Sequence, residues 1–180
     1  HVWATAVPRE RYHSTYTGLL GIDFELANGM YRIKNILSAG AHRQDVRSPL
    51  SEPGVNVNAG DYILAVNGRV LTDFASPWQA FEGLANSHVE LVINKKPKQK
   101  GSKTVIVKTL SSESKLRELA WVENNRKKVD ELSKGQLGYI YVPDTSQNGQ
   151  NELMRQYRSQ FNKKGLVIDE RFNSGGALGD

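Results

Sequence analysis

The stretch GLVIDERFNSGG, residues 165–176, decides the fold of the second half of this chain. Leu166–Ile168 is a continuous apolar run, which is typical of a strand that is covered on both faces. Asn173–Gly176 follows, and it ends in two consecutive residues that adopt positive φ easily. Such a turn directs backbone N–H groups into open space. It can therefore bind a phosphate, a carboxylate or a developing oxyanion.

A strand and a helix precede this stretch. Gly138–Val142 reads as a strand that stops at Pro143-Asp144, and Asn148-Gly149 begins a helix. The predicted apolar face of that helix consists of Leu153, Met154, Tyr157 and Phe161. The two strands then form a β-α-β unit, parallel and with a right-handed crossover. Ligands of open α/β sheets bind at the C-terminal ends of such strands, where the glycine turn lies.

Composition excludes several classes of site. The 180 residues contain no cysteine, so disulfides, thiolate metal sites and a cysteine nucleophile are excluded. No apolar run approaches the roughly 20 residues of a membrane span.

Much of the net charge of +5 lies in Lys95–Lys103. We interpret this run as a solvated hairpin loop and expect no nucleic acid partner, because no aromatic residue within it can stack on bases. The alternative, a nucleic-acid patch, predicts steeply salt-dependent binding. We expect no metal and no cofactor.

The first half of the chain has the sequence pattern of a small β domain. Alternating or apolar runs separated by turn signals such as Asn28-Gly29 predict about five strands: Ile22–Leu26, Met30–Ile36, Tyr62–Val66, Val89–Ile93 and Thr104–Leu110. Ser76-Pro77 predicts the start of a helix that can end at Asn86. Its apolar residues recur at helical spacing: Trp78, Phe81, Leu84 and Ala85. The sum is a small, partly open barrel with a helix beside it.

A longer helix is predicted to follow. Ser111–Glu113 resembles an N-cap with an early acid, and the helix should run to about Ser133. Its apolar period weakens around Asn124-Asn125, which indicates a kink or a division there.

The segment Gly18–Leu110 resembles a bacterial, protease-associated PDZ domain. The resemblance rests on the loop Gly18–Ile22, the turn Ser48–Val55, the run Gly60–Gly68 and the helix after Ser76. It implies that backbone N–H groups of the loop bind the terminal carboxylate of a peptide, which then adds as a strand beside the helix. The peptide-binding residues implied are Leu19, Leu20, Gly21, Ile22, Trp78 and Phe81. For the last two, a role in the core is at least as plausible.

The whole of residues 18–180 resembles the tricorn-type serine peptidases of the C-terminal processing superfamily. The motifs that carry this resemblance are GYIYVPD at 138–144, the stretch 165–176 and the linker helix LRELAWVENNR at 116–126. It implies an α+β and α/β chain in three parts. Residues 1–17 end a preceding catalytic subdomain, 18–110 are PDZ-like, and 111–180 are a linker helix and the first β-α-β part of a crotonase-like catalytic domain.

The resemblance also implies peptide hydrolysis by a serine nucleophile. Gly175 or Gly176 would supply an oxyanion N–H. The nucleophile of the family lies on a later turn, so we expect it beyond Asp180 and expect this chain alone to be inactive. A dinucleotide site is disfavoured, because the glycine spacing does not fit the G-x-G-x-x-G pattern.

The implied general base is a histidine shortly before the PDZ domain. His1 is the candidate and His13 its rival, whereas Ser87-His88 and His42 are interpreted as structural. The alternative function is a PDZ-type peptide-binding module without activity. Expected partners are a peptide or unfolded polypeptide substrate and, in the full-length protein, further copies of itself. Both cytoplasm and periplasm fit this sequence.

Overall fold

The computed structural model describes residues 16–40, 43 and 45–176, and the chain divides into two compact units. Unit 1 consists of His1–Ile36 and Ser48–Glu113. Unit 2 consists of Leu37–Arg47 and Ser114–Asp180. No helix in these described ranges is both long and apolar enough to cross a membrane.

Unit 1 is built on an antiparallel sheet. Its strands are β1 Ile22–Ala27, β2 Met30–Ile36, β3 Tyr62–Val66, β4 Arg69–Val70, β5 His88–Asn94 and β6 Lys103–Lys108. They lie in the order β1-β2-β3-β5-β6, and β4 pairs with β3. Just outside the sheet, Leu19 before β1 forms an antiparallel bridge with Leu110 after β6. This bridge brings the two ends of the sheet together, and the predicted partly open barrel is confirmed.

Local turn chemistry sets this topology. Asn28 and Gly29 both have positive φ between β1 and β2, and Asn67 and Gly68 do the same between β3 and β4. Positive φ at two central residues is the geometry that joins antiparallel strands tightly. The lysine run lies in the loop between β5 and β6, where Asn94 Nδ2 donates to the carbonyl oxygens of Lys98 and Lys100.

The core of unit 1 lies between the sheet and its connecting segments. Its largest fully buried members come from several elements: Leu20, Ile22, Ile33, Leu50, Ile63, Leu71, Phe81, Leu91 and Ile93. All five residues of β3 are buried, and because successive side chains point to opposite faces, both faces of this strand are covered. A continuous apolar strand at the centre of a sheet follows the expected rule for two covered faces.

The helix predicted after Ser76 is wrong in type and length. The segment is a 3₁₀ helix of five residues, Pro77–Phe81, and the Ser76 side chain makes no capping bond. Glu82 has left the helical region with ψ 132°, and Gly83 follows with φ +74°. Since a left-handed glycine ends a helix, the apolar spacing further along does not continue it.

Within its described residues, unit 2 contains two helices and two strands. They are α1 Ser114–Leu132, β7 Leu137–Tyr141, α2 Gln147–Arg158 and β8 Gly165–Asp169. β7 and β8 pair in parallel, so the predicted β-α-β unit is confirmed. α1 runs without interruption through Asn124-Asn125, so a division of the helix there is wrong. Ser146 caps α2, its side chain accepting the N–H of Asn148.

The prediction that Leu166–Ile168 is covered on both faces is wrong. Val167 is 38% exposed and Ile168 56% exposed, whereas Tyr139, Ile140 and Tyr141 of β7 are buried. Both helices pack against β7, and in the part of the chain that the structure describes β8 pairs with β7 alone. The predicted apolar face of α2 is likewise open, with Met154, Tyr157 and Phe161 exposed.

Candidate functional site

The glycine turn lies beside the loop that follows β7. Ser174 N–H donates to the carbonyl oxygen of Pro143 at 3.0 Å, and Thr145 N–H donates to that of Gly175 at 3.0 Å. The Thr145 hydroxyl donates to the carbonyl oxygen of Gly176 at 2.8 Å. The structure therefore brings together the two segments that the sequence placed at the C-terminal edge of the β-α-β unit.

The two glycines of the turn differ in what their N–H groups do. Gly175, with φ +76°, donates its N–H to Asn173 Oδ1 at 2.7 Å. Gly176 has φ +140°, and among the residues that the structure describes its N–H has no acceptor. Of the two oxyanion candidates, only Gly176 therefore presents an N–H that is not already used within the turn.

The turn has no room for a side chain at its second glycine. A Cβ on Gly176 would lie 2.9 Å from the backbone nitrogen of Ser146 and 3.0 Å from the carbonyl carbon of Thr145. A Cβ on Gly175 would meet nothing within 4 Å. Close approach of two backbones is one of the established uses of glycine. Glycine is thus required at position 176 by close backbone contact as well as by positive φ, and at position 175 by positive φ alone.

Asp144 organises the loop opposite the turn. Its carboxylate accepts the N–H groups of Ser146 and Gly149, each at 2.9 Å, the Ser146 hydroxyl, and Asn148 Nδ2 at 2.8 Å. Hydrogen bonds from the side chains of Ser146 and Asn148 hold the pKa of Asp144 well below its usual range. Because these donors occupy its oxygens, Asp144 fixes the start of α2 and does not accept the N–H of Gly176.

An ionic cluster with a buried carboxylate and an exposed guanidinium anchors the end of β8. Asp169 is 7% exposed and accepts bonds from the Tyr139 hydroxyl at 2.7 Å and from Arg171 Nη2 at 2.6 Å and Nε at 2.9 Å. The Arg171 hydrogen bonds hold the pKa of Asp169 well below its usual range, against the opposing effect of burial. Burial, reinforced by Asp169, raises the pKa of Tyr139 to about 12. The guanidinium of Arg171 also lies 4.9 Å from the ring centroid of Trp121.

Phe172 connects this cluster to the turn in an unusual conformation. Its φ is +61°, and its side chain is 83% exposed, with the ring 5.7 Å from that of Trp121. The left-handed region costs an L-residue about 1–2 kcal/mol. The sequence did not point to Asp169, Arg171 or Tyr139, although charged residues directly after an apolar strand are a signal of such a cluster.

The predicted peptide loop in unit 1 is a fixed part of its sheet. Gly18 N–H donates to the carbonyl oxygen of Phe81, and Leu19 exchanges backbone bonds with Leu110. The side chains of Leu20 and Ile22 belong to the core. Gly21 has φ +64°.

The two predicted groove residues on the 3₁₀ helix have different surroundings. Phe81 is fully buried in the core. Trp78 is half-buried, and its ring meets that of Phe24 on β1 edge-on, with 5.0 Å between centroids.

The histidine predictions fall largely outside the described residues. His1, His13 and His42 all lie there. His88 is the first residue of β5 and is exposed, and the Ser87 hydroxyl donates to the carbonyl oxygen of Ala85. Ser87 thus directly precedes β5 and His88 begins it, and the structural role of both remains a prediction. The described residues hold no cluster of acidic or histidine side chains that could bind a metal ion.

An open antiparallel sheet with a glycine loop, followed in the chain by a β-α-β unit that ends in a glycine turn, defines a PDZ-type domain joined to a second α/β unit. The family model for the tricorn protease PDZ domain matches residues 18–112. This chain therefore belongs to the tricorn protease family.

Individual relatives agree with this assignment. The tricorn protease homolog 1 of Streptomyces coelicolor is 39% identical over 161 residues, which cover 88% of this chain and 15% of that protein. The tricorn protease homolog of Saccharolobus solfataricus is 35% identical over 178 residues, covering 98% of this chain and 16% of that protein. The crystal structure of the tricorn protease matches with a TM-score of 0.77 at 26% identity, covering 89% of this chain and 15% of that one. This chain thus spans about a sixth of the length of such relatives.

Proposed function

We propose that this chain is the PDZ domain and the first part of the catalytic domain of a serine peptidase that hydrolyses peptides. The observation that carries the proposal is the N–H of Gly176, which lies at the C-terminal edge of the β7–β8 pair without an acceptor among the described residues. Membership of the tricorn protease family supports the same function. The division into 1–17, 18–110 and 111–180 is part of this proposal, and the bridge between Leu19 and Leu110 supports it.

The chemistry requires a donor that is fixed before the reaction. Attack of a serine on a peptide carbonyl places a negative charge on the carbonyl oxygen, and a preorganised N–H stabilises that charge by about 3 kcal/mol. The bonds from Thr145 to the carbonyl oxygens of Gly175 and Gly176 hold the turn in place. Since Asn173 already accepts the Gly175 N–H, we assign the oxyanion role to Gly176.

The other catalytic groups remain proposals from the family. The nucleophile would lie beyond Asp180 and the general base would be His1, so this chain alone should hydrolyse no peptide. A phosphonylating reagent for active-site serines should label the full-length enzyme and leave this chain unlabelled. Stoichiometric labelling of a serine within residues 1–180 would contradict the assignment.

The decisive test compares Gly176→Ala with Gly175→Ala in the full-length enzyme. The Cβ that Gly176→Ala adds would collide with the backbone of Thr145 and Ser146 and displace the N–H, so kcat should fall by about 10² or more. Substrate binding should weaken less, because the N–H acts on charge that develops in the transition state. Affinity for a peptide boronate, which mimics that state, should fall in parallel with kcat. Gly175→Ala is the matched control, since its side chain meets open space.

Thermal unfolding of both variants separates catalysis from folding. A folded Gly176→Ala enzyme with nearly unchanged kcat would reduce the turn to a structural bend, and the peptidase assignment of this edge would be withdrawn. A larger kcat loss in Gly175→Ala than in Gly176→Ala would move the donor to Gly175.

For unit 1 we propose peptide binding or positioning. β1 is an edge strand of the sheet, so its outer side can accept an extended peptide as an additional strand. The half-buried Trp78 lies across from β1 through its contact with Phe24. Addition of unfolded polypeptide should shift the backbone amide resonances of β1 more than those of β5. Equal shifts on both strands would contradict an edge-strand site.

A non-catalytic peptide-binding module is the alternative function, and the full-length protein is proposed to form a homo-oligomer. Peptidase assays on the full-length protein distinguish the two functions. Sedimentation of the same sample tests the assembly, and a monomer at working concentration would overturn that part.

A further inference from the structure

The loop before β1 already holds a carboxylate. Gly21 N–H donates to Glu113 Oε2 at 2.9 Å in a buried hydrogen bond between residues 92 positions apart. Glu113 itself is 9% exposed. In the PDZ-type peptide binding that the sequence resemblance implies, this loop is the segment whose N–H groups would take the terminal carboxylate of a peptide that adds to β1. The group found there is chemically the same, but it belongs to a side chain of unit 1.

Backbone pairing delivers Glu113 to this position. The N–H of Leu19 donates to the carbonyl oxygen of Leu110 at 2.9 Å, and the N–H of Leu110 donates back at 2.8 Å. The chain that leaves β6 therefore runs antiparallel to the loop, and Glu113 follows three residues later. The bridge holds both segments in place. The Glu113 carboxylate can therefore bind Gly21 without the loss of translational entropy that a free ligand undergoes.

Aromatic side chains of unit 1 lie between β1 and the 3₁₀ helix. Phe24 on β1 and Trp78 on the 3₁₀ helix are both half-buried and in edge-on contact. Trp78 also lies near Phe81, with 6.1 Å between ring centroids. These rings span the space between the edge strand and the helix, where a bound peptide would place its side chains.

We propose that Glu113 is an internal ligand of the Gly18–Ile22 loop, so that a peptide with a free C-terminal carboxylate binds only by displacing it. The inference rests on the proposed peptide-binding function of unit 1. One N–H cannot serve two carboxylates fully, and two anions at one loop repel each other. A hydrogen bond to a charged acceptor is among the stronger ones, so displacement carries a measurable penalty.

The experiment measures binding of two labelled peptides that share an apolar C-terminal residue, one ending in a free carboxylate and one in an amide. Glu113→Ala should bind the free-acid peptide about tenfold more tightly than wild type does, as expected when a competing charged hydrogen bond is removed. The amide should bind wild type and variant alike. Glu90→Ala is the control, because Glu90 is exposed on β5 and its N–H bonds to Asn67.

A second variant covers the possibility that Glu113→Ala fails to fold. Glu113→Gln keeps an acceptor for Gly21 and removes the charge, so it should gain a few-fold in affinity for the free-acid peptide. The Gly21 amide resonance should move when that peptide binds to either variant.

The outcomes separate the inference from the function on which it rests. Equal affinities of wild type and both folded variants for the free-acid peptide would overturn the inference and leave peptide binding intact. Absence of binding by either peptide to any variant would overturn the proposed peptide-binding function, and the internal-ligand role with it.

Discussion

β3 in unit 1 and β8 in unit 2 are both apolar strands, yet they are buried to very different degrees. All five residues of β3 are buried, whereas Val167 and Ile168 of β8 are exposed. β3 has hydrogen-bonded neighbours on both sides, and β8 pairs with β7 alone in the described residues. Since paired strands cover only the edges of a strand, the burial of its side chains depends on what packs on its two faces, and an apolar run predicts only that such cover is needed.

The two units accordingly depend on different interactions. Unit 1 has a continuous core of aliphatic and aromatic side chains around Phe81. In unit 2 a smaller set of buried apolar side chains around β7 is joined by polar contacts, chiefly the bonds among Tyr139, Asp169 and Arg171. Core truncation should therefore affect unit 1 most, and charge or backbone changes should affect unit 2 most.

The largest effect is expected from Phe81→Ala. Truncating a fully buried phenylalanine typically costs 3–5 kcal/mol, because transfer free energy is lost and a cavity remains. Hydrogen exchange resolved by residue should show that β3 and β5 lose protection while β7 keeps it. A loss below about 1 kcal/mol would mean that the core of unit 1 is not as continuous as described.

Gly149→Ala should be next, with a loss of about 2–3 kcal/mol confined to unit 2. A Cβ on Gly149 would overlap the carbonyl oxygen of Asp144, so the start of α2 must move. Gly175→Ala is the matched control, since only its φ of +76° opposes a side chain, at about 1 kcal/mol. Equal losses of stability in the two variants would show that the backbone of the loop after β7 shifts at little cost to relieve the overlap.

Asp169→Asn tests the ionic cluster through its pH dependence. The folded-state pKa of Asp169 is depressed, so its contribution is present above the ordinary carboxyl range and is lost as the pH falls below about 4. The wild type should lose stability of unit 2 on acidification, and Asp169→Asn should flatten that slope at a cost of about 1–2 kcal/mol at neutral pH. Urea unfolding followed at several pH values checks this. An unchanged acid slope would assign acid sensitivity to other carboxylates.

Ile168→Thr should have the smallest effect, within about 0.5 kcal/mol, because the side chain is already half exposed. The same urea series provides the measurement. A cost approaching that of Phe81→Ala would reveal that β8 is covered in solution, and the contrast between the two strands would disappear.

Local signals predicted much of the fold. The hairpin at Asn28-Gly29 and the strands β1, β2 and β3 follow from residues next to one another in the chain. The helix after Ser76 was wrong because Gly83 ends it, and two-residue β4 leaves too short a pattern to be recognised.

The site was harder to predict, because its contacts join distant residues. The glycine turn was found from its own sequence, and its neighbour Pro143-Asp144 from the topology of parallel strands. The bond between Tyr139 and Asp169 spans 30 positions, and that between Gly21 and Glu113 spans 92. No periodicity reports such pairs, since each partner alone looks like an ordinary polar residue.

The overlap at Gly149 also constrains how this sequence can evolve. Every other amino acid carries a Cβ, so every missense change at this codon brings a carbon against the Asp144 carbonyl oxygen. Every amino-acid replacement at position 149 therefore strains the loop after β7, unless the backbone of that loop has already shifted. In related sequences that lack this glycine, the loop after β7 should therefore follow a different backbone path.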